Sequence, residues 1–238
     1  MLVGIKNNIE IKIASTNVEP TWWTDSYFGN IWELETFKVF DEYLTKDMTM
    51  LDLGTFEGHT VLYEAHKVKQ VYGLECDPIP YGHCVKNIEA NNLTNVVMDA
   101  VAISDRDGEF KITGQTYDAT VFGHSGTRLD ESGTIDVKTT TIESFIKKHG
   151  IEKIDFIKMD IEGGEEFVIP AMENYLRANK PMLYISYHPH LMASKKWNHD
   201  LGYEHTEETK KIMLGLKGIL ESIYDNVIEL DKKTFLYK

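Results

Sequence analysis

From residue 48 to residue 186 the chain repeats one pattern: a short apolar run, a turn, then a stretch whose apolar residues fall at helical spacing. The runs at 48–53, 70–75, 95–103, 154–159 and 182–186 predict strands, and the segments 60–67, 80–91, 165–179 and 206–222 predict helices. Thr140-Thr141-Ile142-Glu143 reads as a capping-box start for one more helix, ending at Gly150. A helix between two strands carries the chain back to the end it started from. The repeat therefore predicts a mostly parallel sheet with helices on both faces. Ligands of such a sheet sit beyond the C-terminal ends of its strands, and that rule selects the loops that matter.

Outside this body, residues 2–13 alternate apolar and polar around Asn7-Asn8, the pattern of a small hairpin. An aromatic segment with Trp22, Trp23, Tyr27, Phe28 and Trp32 precedes a helix expected over 31–44. The stretch 109–139 reads as strand and loop, and 227–230 with 234–237 predicts a closing antiparallel hairpin around Asp231-Lys232-Lys233. No repeat or Pro/Ser-rich linker divides the 238 residues, so one domain is expected, with residues 1–30 as an N-terminal addition.

Composition limits the partners. Hydrophobic residues make up 42% and charged residues 26%, ordinary for a globular protein, and no apolar run is long enough for a bilayer. The N-terminus lacks a signal-peptide core, and the two cysteines, Cys76 and Cys84, have no metal-ligand spacing, so a cytoplasmic, reducing setting is expected. A formal net charge of −13 with no basic stripe argues against nucleic acid as substrate, and Lys147-Lys148 and Lys210-Lys211 read as solvated helix faces.

The first strand ends in Leu51-Asp52-Leu53-Gly54-Thr55-Phe56-Glu57-Gly58-His59-Thr60. Gly54 lets the chain leave the strand in a conformation that a Cβ disfavours, and Gly58 lets the helix start close to a ligand. This is not G-x-G-x-x-G. Glu57 inside the loop and Asp52 before it would repel a pyrophosphate but suit a ligand carrying an ammonium and a sulfonium cation. Glu75, at the end of the second strand and about twenty residues on, suits a ribose diol, because one carboxylate accepts both hydroxyl protons. Ala100 and Val101 are expected to offer backbone contacts to an adenine ring, while Asp99 either accepts from the exocyclic amine or is a solvated strand residue. Thr60 and Cys76 complete the expected cofactor set.

The fourth strand ends in Ile154-Asp155-Phe156-Ile157-Lys158-Met159-Asp160-Ile161-Glu162-Gly163-Gly164-Glu165, which resembles the D-F-I-K-[IM]-D-[VI]-E-G-x-E signature of the FkbM-type methyltransferases. Trp32-Glu33 with Thr36 resembles that family's aromatic-Glu-x-x-Thr approach to the first strand, which adds Glu33 to the cofactor set. Residues 95–108 resemble its third-strand block, and 141–145 its helix before the signature. The resemblance runs from about Trp32 to His188. It implies a Rossmann-like class I methyltransferase fold with a seven-stranded sheet, S-adenosyl-L-methionine as donor with S-adenosyl-L-homocysteine as product, and O-methylation of a sugar or glycan. One position departs: the fifth-strand run Leu183-Tyr184-Ile185-Ser186-Tyr187-His188 has Ser186 where the family commonly has a Glu.

Methyl transfer to oxygen is an in-line displacement at carbon, so the protein must align the reactants and remove a hydroxyl proton. Asp160 and His188, at the ends of the fourth and fifth strands, are expected to bracket the acceptor hydroxyl. His188, as a neutral imidazole, would take its proton, and Lys158 beside them either pairs with a carboxylate or binds acceptor oxygens. Glu162, Trp23, Tyr27, His190 and Trp197 form the expected acceptor side, the last two on a loop over 189–204. Trp22, Trp23, Tyr27 and Phe28 either stack on sugar faces or pack the first helix onto the sheet. No metal is assigned, although Asp160, Glu162, Glu165, His188, His190 and His199 offer ligand types. The alternatives are a non-sugar small-molecule acceptor and a non-catalytic cofactor-binding module. A nicotinamide oxidoreductase conflicts with the acidic loop, and a nucleobase methyltransferase with the lack of a [DN]-P-P-aromatic motif. Oligomeric state is not legible.

Overall fold

The protein is described from a computed structural model, over residues 1–112, 133–189, 192 and 207–238. The N-terminal hairpin is β1 (Leu2–Lys6) and β2 (Ile9–Ile13), with Asn7 and Asn8 both at positive φ, the requirement of a two-residue turn that matches strand twist. A helical segment follows, α1 (Pro20–Trp22) running into a π-type turn at Trp23–Tyr27, then α2 (Leu34–Tyr43). This helix starts three residues later than the apolar spacing suggests, because Glu33 is left-handed at φ 47 and makes a corner there.

The body alternates as expected: β3 (Thr49–Leu53), α3 (Val61–Glu64), β4 (Gln70–Leu74), α4 (Pro78–Ala90) and β5 (Val96–Asp99). After β6 (Val101–Ile103), β7 (Gly108–Ile112) and β8 (Ile135–Thr140) come α5 (Ile142–His149), β9 (Phe156–Met159), α6 (Glu165–Asn179), β10 (Met182–Ser186), α7 (Glu207–Glu221), β11 (Val227–Glu229) and β12 (Thr234–Tyr237). α5 is capped by Thr141, one residue later than the expected Thr140–Glu143 box, with Thr141 Oγ1 accepting from Ser144 N at 3.2 Å and Gly150 left-handed at the far end.

One seven-stranded sheet organises the molecule, in the order β11-β12-β10-β9-β3-β4-β5. β12 runs antiparallel to both its neighbours, β10 and β11, and the other pairs are parallel. The strand expected over 95–103 is broken at Ala100. Glu75 N bonds Asp99 O at 3.2 Å beyond the last residue of β4, so the main sheet offers no further partner and β6 pairs with β8 in a separate three-stranded sheet.

Alternation along each strand feeds two cores. Leu51, Leu53, Ile157, Met159, Leu183 and Ile185 pack against the face covered by α5, α6 and α7. Met50, Phe156 and Tyr184 pack against α2 and the N-terminal aromatic segment. On that second face, one step further along, the parallel register sets Asp52 beside Lys158, a charged rung at the cleft end of a buried sheet. Among the described residues no helix is long and apolar enough to cross a membrane.

Candidate active site

Chain order reverses between β3 and β9, and a cleft of about 320 Å³ opens beyond the C-terminal ends of these strands. The two strand ends touch. Gly54 sits at φ 83, and a Cβ there would lie 1.9 Å from the Asp160 carbonyl oxygen, so only glycine fits.

Glu75 stands on the β4 side of the cleft. Its Oε2 accepts from Phe56 N and its Oε1 from Asp77 N, each at 2.9 Å, which fixes the carboxylate on the cleft wall. Burial raises its pKa to about 7, partly offset by those two backbone donors. Cys76, Pro80, Val101, Ala102 and Ile103 continue this wall, and burial pushes the Cys76 thiol up. Ala100 does not belong to it. It is exposed at the strand break, and Ala102 lines the cleft instead.

Three residues of the glycine loop face away from the cleft, contrary to the sequence expectation. The Glu57 carboxylate accepts from Thr16 Oγ1 and, at 2.8 Å, from Asn17 N, anchoring the N-terminal segment. Gly58, at φ 93, gives room to the Cys84 side chain. Asp52 is fully buried, accepting from Thr60 Oγ1 at 2.7 Å and from Lys158 Nζ at 2.9 Å. The acidic bias of the cleft comes instead from Glu33, Glu75, Asp77, Asp160 and Glu162. Gly54 and Thr60 do line it.

Lys158 forms part of the cleft floor, yet its ammonium is committed to Asp52 and, at 3.3 Å, to the Gly54 carbonyl. Burial alone would lower its pKa, but Asp52, Asp160 and Glu64 together hold it above the usual lysine range. Of the two roles expected of Lys158, pairing with a carboxylate is the one seen, and the lysine thus positions the loop and not the acceptor. Behind it, burial and Asp52 keep the Glu64 carboxyl well above the usual carboxylate range.

His188 gathers the acids of the signature. Its Nε2 lies 3.7 Å from Asp160 Oδ1 and 3.8 Å from Glu162 Oε2, and its Nδ1 lies 3.6 Å from Glu165 Oε1. Burial opposes the charged ring, but Glu165, Asp160 and Glu162 outweigh it and raise its pKa to about 9. Those acids favour the charged form of the ring. That direction runs against the neutral imidazole expected to accept a proton, and its cause is Glu165, the first residue of α6, which closes behind the ring. Glu33 enters from the α2 corner, bonded by Thr36 Oγ1 at 2.9 Å, and burial together with Asp160 raises it to about 7.

Of the expected acceptor residues, Glu162 lines the cleft, while Trp23 and Tyr27 are fully buried. Trp23 Nε1 donates to Thr16 Oγ1 at 3.0 Å and Tyr27 OH to the His59 carbonyl at 2.8 Å, so both rings are core. Trp22 and Trp32 take the cleft position. His190 and Trp197 lie outside the described residues. Two lining residues had no sequence signal. Lys233 reaches over from the β11–β12 turn, and His59 stands within 4.8 Å of the Trp22 ring and 5.3 Å of the Trp32 ring. Burial lowers the His59 pKa to about 3, and its Nε2 has no hydrogen-bond partner.

The family described as methyltransferase FkbM domain matches residues 52–214. Among curated proteins, the 2-O-methyltransferase NoeI of Sinorhizobium fredii is 28% identical over 157 residues, covering 59% of this chain and 63% of that protein. An uncharacterised protein of Methanocaldococcus jannaschii is 32% identical over 75 residues, 31% of this chain and 29% of its own. The chain thus spans less than two thirds of the length of these relatives. The crystal structure of an FkbM methyltransferase from Methylobacillus flagellatus KT superposes with a TM-score of 0.49 at 18% identity, over 80% of this chain and 43% of that one. With the family matched from the glycine loop through the signature strand and beyond, this chain belongs to the FkbM methyltransferase family, on a Rossmann-like fold.

Proposed function

We propose that this protein transfers a methyl group from S-adenosyl-L-methionine to a hydroxyl of a sugar or glycan acceptor. The observation that carries the donor is Glu75. Two backbone donors fix its carboxylate, and each oxygen keeps a lone-pair direction for one hydroxyl of a ribose diol. The adenine would lie along Cys76 and Val101 to Ile103, and the amino-acid end near Gly54, Thr60 and Glu33, whose acidity suits an ammonium. NoeI, a 2-O-methyltransferase by name, supports oxygen as the acceptor atom.

The reaction needs little from the protein beyond alignment, since the sulfonium already carries a good leaving group. Asp160 is the residue assigned to the acceptor hydroxyl, orienting it and taking up its proton as the new bond forms. His188, with Nε2 turned toward Asp160 and Glu162, orients these carboxylates and is not the group assigned to take the proton. Trp22 and Trp32 offer faces for a pyranose ring.

Incubation with donor carrying a labelled methyl group and a panel of free, nucleotide-linked and oligomeric sugars tests this reading. A methyl ether on a sugar oxygen is expected. Label appearing only on nitrogen, on RNA, or on no acceptor in the panel would overturn it.

A further inference from the structure

The end of the cleft opposite Glu75 gathers carboxylates around one imidazole. One imidazole faces three carboxylates, at 3.7 Å from Asp160, 3.8 Å from Glu162 and 3.6 Å from Glu165. Glu165 is fully buried, and its Oε2 has no hydrogen-bond partner. The ammonium of Lys158 is bonded to Asp52 and to the Gly54 carbonyl.

The arrangement also has ligand geometry. Asp160, Glu162 and His188 each offer an atom within 4.8 Å of the other two. They come from adjacent parallel strands, Asp160 and Glu162 just past β9 and His188 two residues past β10, and they line the same end of the cleft. Glu165 stands behind Nδ1, the place of a carboxylate that fixes the tautomer of a ligating histidine and leaves Nε2 turned toward the other two acids. Two carboxylates and one imidazole form a mostly hard, oxygen-rich set, suited to magnesium or manganese and unlike the Cys/His sets of structural zinc.

We propose that Asp160, Glu162 and His188 bind one divalent cation of the magnesium or manganese class at the acceptor end of the cleft. The cation's open positions would take acceptor oxygens, lowering the pKa of the hydroxyl and holding it in line for attack. Its use in catalysis rests on the methyl-transfer reading, but the site itself does not.

Manganese titration of the full chain, read from the electron paramagnetic resonance of the free ion, tests the site without any turnover. One saturable site is expected, with magnesium competing for it. Glu162→Gln and His188→Gln should each weaken it roughly tenfold or more, and Glu165→Gln by about 10–100-fold. Glu109→Gln, exposed on β7, serves as the unaffected control. Glu162 is only partly buried, so Glu162→Gln keeps the test interpretable if the deeper changes disturb folding. No saturable manganese site, or one of equal affinity in Glu162→Gln, would overturn the inference. A parallel titration with S-adenosyl-L-homocysteine separates the two claims. Cofactor binding without a manganese site removes only this one, and a manganese site without cofactor binding removes only the proposed function.

Discussion

Replacing Lys158 by methionine removes the cation that pairs with Asp52 and ties β3 to β9 at the switch point. The lysine is 2% exposed, Asp52 is fully buried, and the two are 2.9 Å apart. Methionine has a similar shape and volume, so the change reports mainly charge rather than a cavity. What remains is a buried Asp52 carboxylate with the Thr60 hydroxyl, the neighbouring Glu64 and a Gly54 carbonyl that has lost its side-chain donor. Breaking a buried pair in this way costs about 3–5 kcal/mol, a large share of the roughly 5–15 kcal/mol that holds a domain folded. With a urea m-value near 2 kcal/mol/M, the unfolding midpoint should fall by about 1.5–2.5 M. Adding Asp52→Asn removes the orphaned charge, so the double variant should recover at least half of the loss. Urea unfolding followed by tryptophan fluorescence on the four proteins of this cycle measures the coupling directly. A loss below about 1 kcal/mol, the range of an exposed pair, or no recovery in the double variant, would refute the argument that Lys158 anchors the loop.

Glu75→Gln should weaken S-adenosyl-L-homocysteine binding about 10–100-fold, the worth of one or two charge-assisted hydrogen bonds, with calorimetry as the assay. Because Glu75 titrates near 7, cofactor affinity in the parent protein should fall as pH drops through 7 and become flatter in the variant. Stability without cofactor should move the opposite way. Glu33 and Glu75 are raised from 4.5 to about 7, so their contribution is full below 4.5 and is lost as pH rises through 7; thermal melts of the apo protein should show it. Trp23→Ala opens the core and should cost about 3–5 kcal/mol. Trp22→Ala, on the cleft wall, should destabilise less but raise the acceptor KM, and equal effects from the two would contradict the division between core and cleft.

The sequence made the frame legible because its signals are local. Gly54 ends a strand where only glycine fits, Glu75 ends the next one, and Thr141 caps a helix three residues before the backbone N–H it accepts from. The site was less legible because it depends on which way side chains turn. Glu57 sits in the glycine loop, yet its carboxylate points to Thr16 and Asn17, a choice made by a segment forty residues away. Trp22 and Trp23 are adjacent, so composition alone does not say which one a helical turn sends inward. The surroundings of the His188 ring depend on Glu165, the first residue of α6, and the break at Ala100 depends on where β4 stops. Each of these is a tertiary choice, and none leaves a trace in local spacing.

The central claim is that the cleft at the β3–β9 switch point is built for S-adenosyl-L-methionine, and calorimetric titration of the full chain with that donor and, separately, with NAD tests it most directly. The account predicts saturable one-to-one binding of the donor that is lost in Glu75→Ala, with no binding of NAD. Failure of the donor to bind, or binding that Glu75→Ala leaves unchanged, would contradict it.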